Sequence, residues 1–460
     1  MHKRILVVVL GLVLGASEVA SAGGTFLHTR GVRPTARAGA FVAGANDLGA
    51  MWFNPAGLVA PEPDKKKKVS FLFDMAFVDH SATYTRVDSG NNRHDPVSNE
   101  AMGKVIPTVG IGYRVSDKIA VAAGLFAPYA GLDKFPENGP QRYSLIDASE
   151  SAAVVLEAAV AYKVSDRIRI GVGVQNMIFQ AASTVVFSGC PQEVACAPED
   201  PEFDSVNKLQ QLDLFIPSGV VGVQLDLGKK ASAGFSFQFP FSVSANGELQ
   251  SRLPESGFYD GAVLVGDRAD MSFTLPPILR AGLELRPSSR AKVEITGSIE
   301  FWSVHDKFIV EPRNVRIENT PGLGTYEFST VEISRDFRNS FSIAVGGELT
   351  LNKASGLTVL GGYAFETSAV GKRTLSVFTI DGNKHLLSGG IARNVGKWQV
   401  NATLGFVKVA DRSVSPEEGR ATQLSPLRDP DGVPAVTTYV NWGDYSSSYL
   451  IAGAGISTQF

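Results

Sequence analysis

The feature that most constrains the fold is a period-two alternation of apolar and polar residues that recurs in short segments along the chain. In Ala233–Val243 (AGFSFQFPFSV) the odd positions are Ala, four Phe and Val, and the even ones are Gly, Ser, Gln, Pro and Ser. The same alternation occurs in Ala291–Phe301, Phe341–Leu351 and Trp398–Phe406. Such a pattern places apolar side chains on one face of a β-strand and polar ones on the other. It outweighs the default expectation of a few soluble domains for 460 residues.

Short polar turns join the predicted strands in pairs. The segment Tyr113–Ile119 (YRVSDKI) is nearly repeated at Tyr162–Ile168 (YKVSDRI), and four further tight turns are found at 227–230, 286–290, 352–356 and 394–397. These six turns join twelve strands, and single strands at 69–87 and 446–460 bring the count to fourteen. Long segments rich in Gly, Pro, Asn and Asp separate the hairpins, at 187–207, 250–268, 311–337 and 413–444.

Short turns that alternate with long loops around an even number of half-apolar strands are typical of an outer-membrane β-barrel. Within a bilayer, strands can pair all their backbone groups only in a closed sheet. A soluble β-sandwich is the alternative, but its turns would be of similar length at both ends. We therefore predict an all-β protein, a 14-stranded antiparallel transmembrane β-barrel over residues 69–460. Its six short turns would lie in the periplasm and its long loops outside.

The patterns at both ends of the chain agree with a location in the outer membrane. A basic head (His2-Lys3-Arg4), an apolar run (Ile5–Ala16) and Ala20-Ser21-Ala22 predict a secretory signal peptide over residues 1–22. The apolar run is shorter than the roughly 20 residues that a membrane-spanning helix needs. The last strand, Tyr449–Phe460, ends on an aromatic residue and resembles the assembly signal of bacterial outer-membrane proteins. We expect a monomer in the outer membrane of a Gram-negative bacterium, in contact with outer-membrane lipid, lipopolysaccharide and the outer-membrane assembly machinery.

Residues 23–68 precede the first strand and are rich in Gly and Ala. Asn54 and Pro55 predict the start of a short helix, with Asn as the cap and Pro at the first helical position. The apolar residues Met51, Trp52 and Phe53 just before them would have no use in a solvated periplasmic tail. We therefore predict that residues 23–68 form a hatch, a plug inside the barrel.

The chain resembles the FadL-type outer-membrane transporters of long-chain fatty acids and other hydrophobic compounds, which include TodX-like aromatic-hydrocarbon channels. The resemblance lies in Gly39–Asn46 (GAFVAGAN), in Asn54-Pro55-Ala56, and in Ala127–Leu132 with Gln141-Arg142-Tyr143. Two details depart from the family pattern, the inserted Ala130 and Gln141 in place of a glycine. The resemblance implies a 14-stranded barrel closed by an N-terminal hatch, passive uptake of hydrophobic compounds, and lateral exit at a kinked third strand.

Apolar positions on the predicted lumen-facing rows of strands three, five and six define a candidate hydrophobic ligand pocket: Phe126, Met177, Phe179, Leu214, Ile216 and Val220. These side chains could instead only pack against the hatch, and a β-bulge would turn a whole row toward lipid. Gly124 and Pro128 are the candidate residues for the kink in strand three, because both residue types favour bends in strands.

Other functions have weaker support. Cys190 and Cys196 share a long loop outside the reducing cytosol, which favours a local disulfide over metal binding. The six His residues show no metal-ligand spacing and flank no G-x-S-x-G motif. The net charge of −3 gives no basic excess for binding nucleic acid. We therefore predict a channel without cofactor, metal or catalytic site. A general porin for polar solutes and an outer-membrane barrel enzyme remain the alternatives. Fatty acids, alkanes and aromatic hydrocarbons would all require a similar apolar pocket.

Overall fold

The computed structural model describes residues 29–60, 67–191, 196–197, 199–322, 324–427 and 437–460. The signal peptide predicted at 1–22 lies outside these residues. The segment before the first strand contains helices α1 (Val32–Ala36) and α2 (Ala50–Phe53) and the 3₁₀ turn η1 (Pro55–Val59). Further 3₁₀ turns are η2 (Pro201–Phe203), η3 (Gly257–Tyr259), η4 (Trp302–Val304) and η5 (Val377–Thr379).

The described residues form 22 strands: β1 (Val69–Arg86), β2 (Val97–Ser98), β3 (Lys104–Arg114), β4 (Ile119–Ala130), β5 (Ala152–Lys163), β6 (Ile168–Ser188), β7 (Asp204–Asp226), β8 (Ala231–Gln238), β9 (Phe241–Arg252), β10 (Val263–Val265), β11 (Arg268–Leu275), β12 (Ile278–Leu285), β13 (Ala291–Glu300), β14 (Lys307–Arg313), β15 (Arg316–Thr320), β16 (Gly324–Glu327), β17 (Val331–Ser334), β18 (Ser340–Asn352), β19 (Leu357–Glu366), β20 (Lys384–Val395), β21 (Trp398–Val414) and β22 (Gly443–Gln459).

Fourteen of these strands form one closed antiparallel ring, which confirms the predicted fold class. The order around the ring is β1, β3, β4, β5, β6, β7, β8, β12, β13, β18, β19, β20, β21 and β22. The barrel closes between β1 and β22, in register from Ser70↔Gln459 to Arg86↔Gly443. All six predicted tight turns join neighbouring strands of this ring at one end, where the C-terminal Phe460 carbonyl accepts hydrogen bonds from the Lys68 and Val69 amides.

On one side the wall continues outward as a second tier of strands, β9, β11, β14 and β17, which pair in that order. Prolines mark the boundary between the tiers: Pro240 separates β8 from β9, and Pro276-Pro277 separate β11 from β12. Proline has no amide hydrogen to donate to a neighbouring strand, so the ladder is interrupted at this height. The strands β10, β15 and β16 form a separate three-stranded sheet.

The two faces of the wall have opposite polarity. On β1, Phe73, Met75 and Phe77 are exposed on the outside, whereas the intervening Asp74 is buried in the lumen. The other strands of the ring also alternate in this way, and their buried polar residues face the lumen. These residues include Glu157, Gln175, Gln224, Arg280, Glu284 and Glu294. An outward apolar band around a polar interior is the arrangement expected when lipid surrounds the barrel. In the described ranges, no helix is both long and apolar enough to cross a membrane.

Candidate functional site

The segment before β1 fills the lumen near the short turns. Of residues 29–60, only Asn46 is exposed. The carboxylate of Glu294, on the inner face of β13, accepts hydrogen bonds from three successive amides, those of Val42, Ala43 and Gly44, at 2.6, 2.8 and 2.9 Å. Arg37 donates to the same carboxylate at 3.0 Å. These contacts satisfy buried backbone donors of an irregular segment and attach it to the wall.

Asn54 adopts the predicted capping role and also binds the barrel. Its side-chain oxygen accepts from the Ala56 amide at 3.3 Å, and Pro55 begins η1. Its Nδ2 donates to the carbonyls of Val42 and Val223, each at 3.0 Å. A Cβ at Gly222 would collide with this side chain, so the close approach requires glycine in β7. The Asn54-Pro55-Ala56 motif therefore links two parts of the hatch to the wall.

Met51, Trp52 and Arg30 of the hatch contact the third strand of the ring, β4. The Trp52 ring lies 5.5 Å from that of Phe126, measured between centroids. A Cβ at Gly124 would lie 2.5 Å from the Met51 methyl carbon, so the glycine makes room for Met51. The Arg30 guanidinium donates to the Pro128 carbonyl. The apolar edge of the hatch thus lies against the strand in which a kink was predicted.

The pairing of β4 with both of its neighbours changes at Phe126. Its pairing with β3 ends at Thr108↔Phe126, although β3 continues to Lys104 along β1. Its pairing with β5 shifts register between Phe126 and Tyr129. All five residues from Phe126 to Ala130 are buried, which means that the strand has left the alternating pattern and turned inward. Within the described part of the chain, no β-pairs join 104–107 to 127–130, and we call this break the β3–β4 seam.

The six candidate pocket residues are not all together. Phe126, Met177, Phe179 and Ile216 belong to one buried apolar cluster, and Val220 is buried elsewhere on the inner face of β7. Leu214 requires a correction, because it is 61% exposed on the outside. The β6–β7 register shifts between Met177↔Ile216 and Phe179↔Asp213, so Leu214 and Phe215 together oppose Ile178. This bulge changes which positions of β7 face the lumen.

An apolar cavity lies further from the short turns, under the second tier of strands. It has a volume of about 20 Å³ and is lined chiefly by Phe179, Met271, Phe273, Phe308, Phe378, His305 and Arg335. The Phe273 ring contacts those of Phe179 and Phe308, with centroid distances of 5.4 and 5.5 Å. We call it the aromatic cavity. Of the predicted pocket residues, only Phe179 lines it. Met271 and Phe273 alternate in an apolar strand and could have been found from periodicity, whereas Arg335 belongs to a segment without any.

Arg335 is the one cation that lines the aromatic cavity, and it is buried. Its guanidinium lies over the rings of Phe378 and Phe308, at 4.7 and 5.5 Å from their centroids. Its Nε has no hydrogen-bond partner, and among the described residues no carboxylate pairs with its side chain. Burial lowers the pKa of Arg335 to about 10, so it stays charged at neutral pH. Beside it, the Nδ1–H of His305 donates to the Thr274 carbonyl at 2.9 Å, and burial lowers the pKa of His305 to about 4. The histidine is therefore neutral at pH 7.

Among the outer loops, Cys190 and Cys196 form a disulfide. Cys190 packs with Phe203 and Tyr259 in a small apolar cluster that is separate from the aromatic cavity. In the described ranges, no group of three or more His, Cys, Asp or Glu side chains is placed to hold a metal ion.

A closed barrel with an apolar outer band, a polar lumen and an inserted N-terminal plug defines the class of plugged outer-membrane channels. The sequence profile of the family described as outer membrane protein transport protein (OMPP1/FadL/TodX) matches residues 13–438. The chain belongs to this family, as its sequence resemblance predicted.

Solved structures with the same fold include a FadL homologue from Pseudomonas aeruginosa. It is 14% identical, with a TM-score of 0.76 over 95% of this chain and 100% of that one. The toluene transporter TbuX of Ralstonia pickettii is 16% identical, with a TM-score of 0.64 over 94% of this chain and 99% of that one. The toluene transporter TodX of P. putida is 15% identical, with a TM-score of 0.62 and the same coverages. No curated protein sequence matches the chain.

Proposed function

We propose that this protein takes up hydrophobic compounds that carry a carboxylate, long-chain fatty acids first among them, by passive diffusion through the plugged barrel. The ligand's apolar part occupies the aromatic cavity and its carboxylate binds Arg335. The chain acts as a transporter and not as an enzyme. It works as a monomer in the outer membrane of a Gram-negative bacterium after loss of its signal peptide.

The observation that carries this proposal is the buried guanidinium of Arg335. A charge removed from water is costly unless it is paired. The two phenyl faces compensate part of that cost, typically about 0.5–2 kcal/mol for each cation–π contact. A carboxylate can bind a guanidinium through two parallel hydrogen bonds, and such charge-assisted bonds are among the strongest in proteins. Arg335 therefore favours an acidic ligand over a neutral one of the same shape.

Neutral aromatic hydrocarbons are the second candidate, because the cavity is lined by phenyl rings and because TbuX and TodX are described as toluene transporters. Such a ligand would leave Arg335 without an anionic partner. A small polar solute is disfavoured, because the hatch fills the lumen that a water-filled porin would keep open.

At its present volume the aromatic cavity holds about one water molecule, so ligand binding requires its side chains to move apart.

For the exit, the β3–β4 seam supports a lateral path into the bilayer. Buried hatch residues occupy the direct path along the barrel axis toward the short turns. An apolar tail also gains nothing by entering the aqueous periplasm, since hydrocarbon is its favoured environment. The seam lacks the backbone pairing that closes the wall elsewhere, and the Trp52–Phe126 and Arg30–Pro128 contacts join it to the hatch.

The test is uptake of labelled oleate, oleyl alcohol and a small sugar by cells that lack their own fatty-acid transporter and express this chain. Oleate uptake that exceeds sugar entry is expected. In Arg335→Gln, oleate uptake should fall about tenfold or more, since hydrogen bonds to charged groups contribute about 1.5–3 kcal/mol. Uptake of oleyl alcohol should be retained in that variant.

The charge-conserving variant Arg335→Lys should keep part of the oleate uptake, and Arg290→Gln, on a short turn far from the aromatic cavity, serves as the matched control. Sugar entry without oleate uptake would replace the transporter with a porin. Equal uptake of oleate by wild type and Arg335→Gln would contradict the carboxylate assignment and favour neutral hydrocarbons.

A further inference from the structure

The end of the barrel at which the short turns lie carries a concentration of positive charge. Each of the six turn segments contains more lysine and arginine than aspartate and glutamate: 113–119, 162–168, 227–230, 286–290, 352–356 and 394–397. The chain as a whole has a net charge of −3, so this positive excess is local. A surface with a local excess of one charge attracts partners of the opposite charge.

Exposed lysines are spread around the whole circumference of this end. They lie just before β1 and in four of the six turns, and arginines hold the corresponding place in the other two turns. Seven described residues make up this set, which we call the lysine ring: Lys67, Lys68, Lys118, Lys229, Lys230, Lys353 and Lys397. A protein partner would contact one side of the barrel, whereas lipid surrounds it completely. The distribution of the lysines therefore favours lipid.

Several cations of the lysine ring have no anionic partner within the protein. Among the described residues, no carboxylate forms an ion pair with Lys229 or Lys230. The same holds for Lys353 and Lys397 in that part of the chain. The Nζ of Lys353 donates instead to the hydroxyl of Ser289 in a neighbouring turn, at 3.0 Å. The charges of these four lysines are therefore available to an anion outside the protein.

The lysine ring borders on the apolar band of the outer surface. Each turn has an exposed apolar or aromatic side chain at or beside its first residue: Tyr113, Tyr162, Leu227, Leu285, Leu351 and Val395. The Nζ of Lys397 lies over the rings of Phe460 and Trp398, at 4.5 and 5.8 Å from their centroids. Tyrosine and tryptophan are enriched where a membrane meets water. The lysines therefore lie at the level of the lipid head groups.

We propose that the lysine ring binds the phosphate groups of anionic phospholipids, such as phosphatidylglycerol, in the leaflet that faces the periplasm. This inference goes beyond the proposed function, because it concerns the lipid around the barrel and not the transported ligand. The ammonium groups donate to phosphate oxygens, and the acyl chains lie on the apolar band. Each basic side chain near a membrane adds to the attraction for anionic lipid, so the ring gathers an annulus of such lipids.

The experiment places the whole barrel in phosphatidylcholine bilayers with a trace of spin-labelled phosphatidylglycerol or spin-labelled phosphatidylcholine. The fraction of each label that the protein immobilises gives the relative association of the two lipids. Wild type should prefer phosphatidylglycerol about threefold or more at low ionic strength and less at high ionic strength, because salt screens exposed charges. The variant Lys118→Gln/Lys229→Gln/Lys353→Gln/Lys397→Gln should lose most of this preference. The same four changes to arginine should retain it.

The matched control changes four lysines at the opposite end, each paired with a carboxylate: Lys134→Gln/Lys208→Gln/Lys307→Gln/Lys372→Gln. It should keep the wild-type preference. Equal association of both lipids with wild type would overturn the proposal. An equal loss in the control and in the lysine-ring variant would also overturn it, since net charge alone would then set the preference. Binding of wild type to isolated peptidoglycan without a lipid preference would assign the ring to the cell wall instead. None of these outcomes depends on oleate uptake, so the proposed function is tested separately.

Discussion

The indole of Trp52 lies on the phenyl ring of Phe126, with centroids 5.5 Å apart, at the last residue of β4 that still pairs with β3. Both side chains are buried. The contact joins the hatch to the wall at the position where the β3–β4 seam begins. The conformation of the hatch and the width of the seam therefore depend on the same pair of rings.

Replacing Trp52 with alanine should loosen the hatch. Loss of a fully buried Trp side chain costs about 3–5 kcal/mol, and the cavity it leaves lies between the plug and the wall. We expect ion conductance in planar bilayers to be higher for this variant than for wild type. Trp398→Ala, at a short turn on the outer side of the barrel, should leave conductance unchanged. Equal conductance in wild type and Trp52→Ala would show that this contact does not hold the plug.

Asn54→Asp tests the motif that links the hatch to β7. The substitution keeps the size of the side chain but removes the amide that donates to the Val42 and Val223 carbonyls. Each buried group left unsatisfied costs about 1–3 kcal/mol. Hydrogen exchange of the amides in residues 42–57 should accelerate in the detergent-solubilised protein.

The matched control for this change is Asn46→Asp, in the same hatch. Asn46 is exposed, and its side-chain oxygen accepts from Arg33 at 2.7 Å, a role that aspartate keeps. Exchange in this variant should stay at the wild-type rate. Acceleration in both variants would mean that the hatch responds to added charge and not to the loss of the Asn54 donors.

Pro128→Ala should reduce uptake of hydrophobic ligand if the exit is lateral. Proline cannot donate to a neighbouring strand, and alanine restores an amide that could pair and close part of the β3–β4 seam. We expect a severalfold lower rate of oleate uptake without loss of folded barrel in the membrane. Pro217→Ala, next to the bulge of β7, is the control for a barrel proline far from the seam. Unchanged uptake in Pro128→Ala would argue against an exit that depends on this proline.

Acid should destabilise the surroundings of His305. Its pKa in the folded protein is about 4, below the ordinary 6.5, so between these values the unfolded state binds the proton more readily. Stability should therefore fall as the pH decreases from about 6.5 to 4, by about 1.4 kcal/mol for each unit of pKa difference at most.

The measurement for His305 is thermal unfolding in detergent across this pH range. The slope should be smaller in His305→Gln, which retains a donor for the Thr274 carbonyl, than in wild type. His94→Gln, in an exposed loop, should keep the wild-type slope. Identical slopes for wild type and His305→Gln would mean that this histidine does not titrate in the expected way.

The fourteen strands, their tight turns and the family were all predictable from the sequence, because each depends on local periodicity or on a short motif. Asn54 and Pro55 also predicted a cap and a helix start, which are local features as well. The bulge that exposes Leu214 could not be predicted from local periodicity or from a motif. Leu214 and Ile216 have the same parity in the sequence, and only the pairing with β6 decides that one faces lipid and the other the lumen.

The sequence by itself therefore determined a closed, membrane-facing barrel with an apolar segment to fill it, because alternation at period two acts along a single strand. Only the tertiary structure decided where a ligand could bind. The aromatic cavity combines Phe179, Phe273, Phe308 and Phe378 from separate strands and loops, and Arg335 lies in a stretch without periodicity. The charge of Arg335 matters for ligand binding only because distant parts of the chain exclude water from it. Burial of this kind depends on long-range packing, which leaves no local pattern in the sequence.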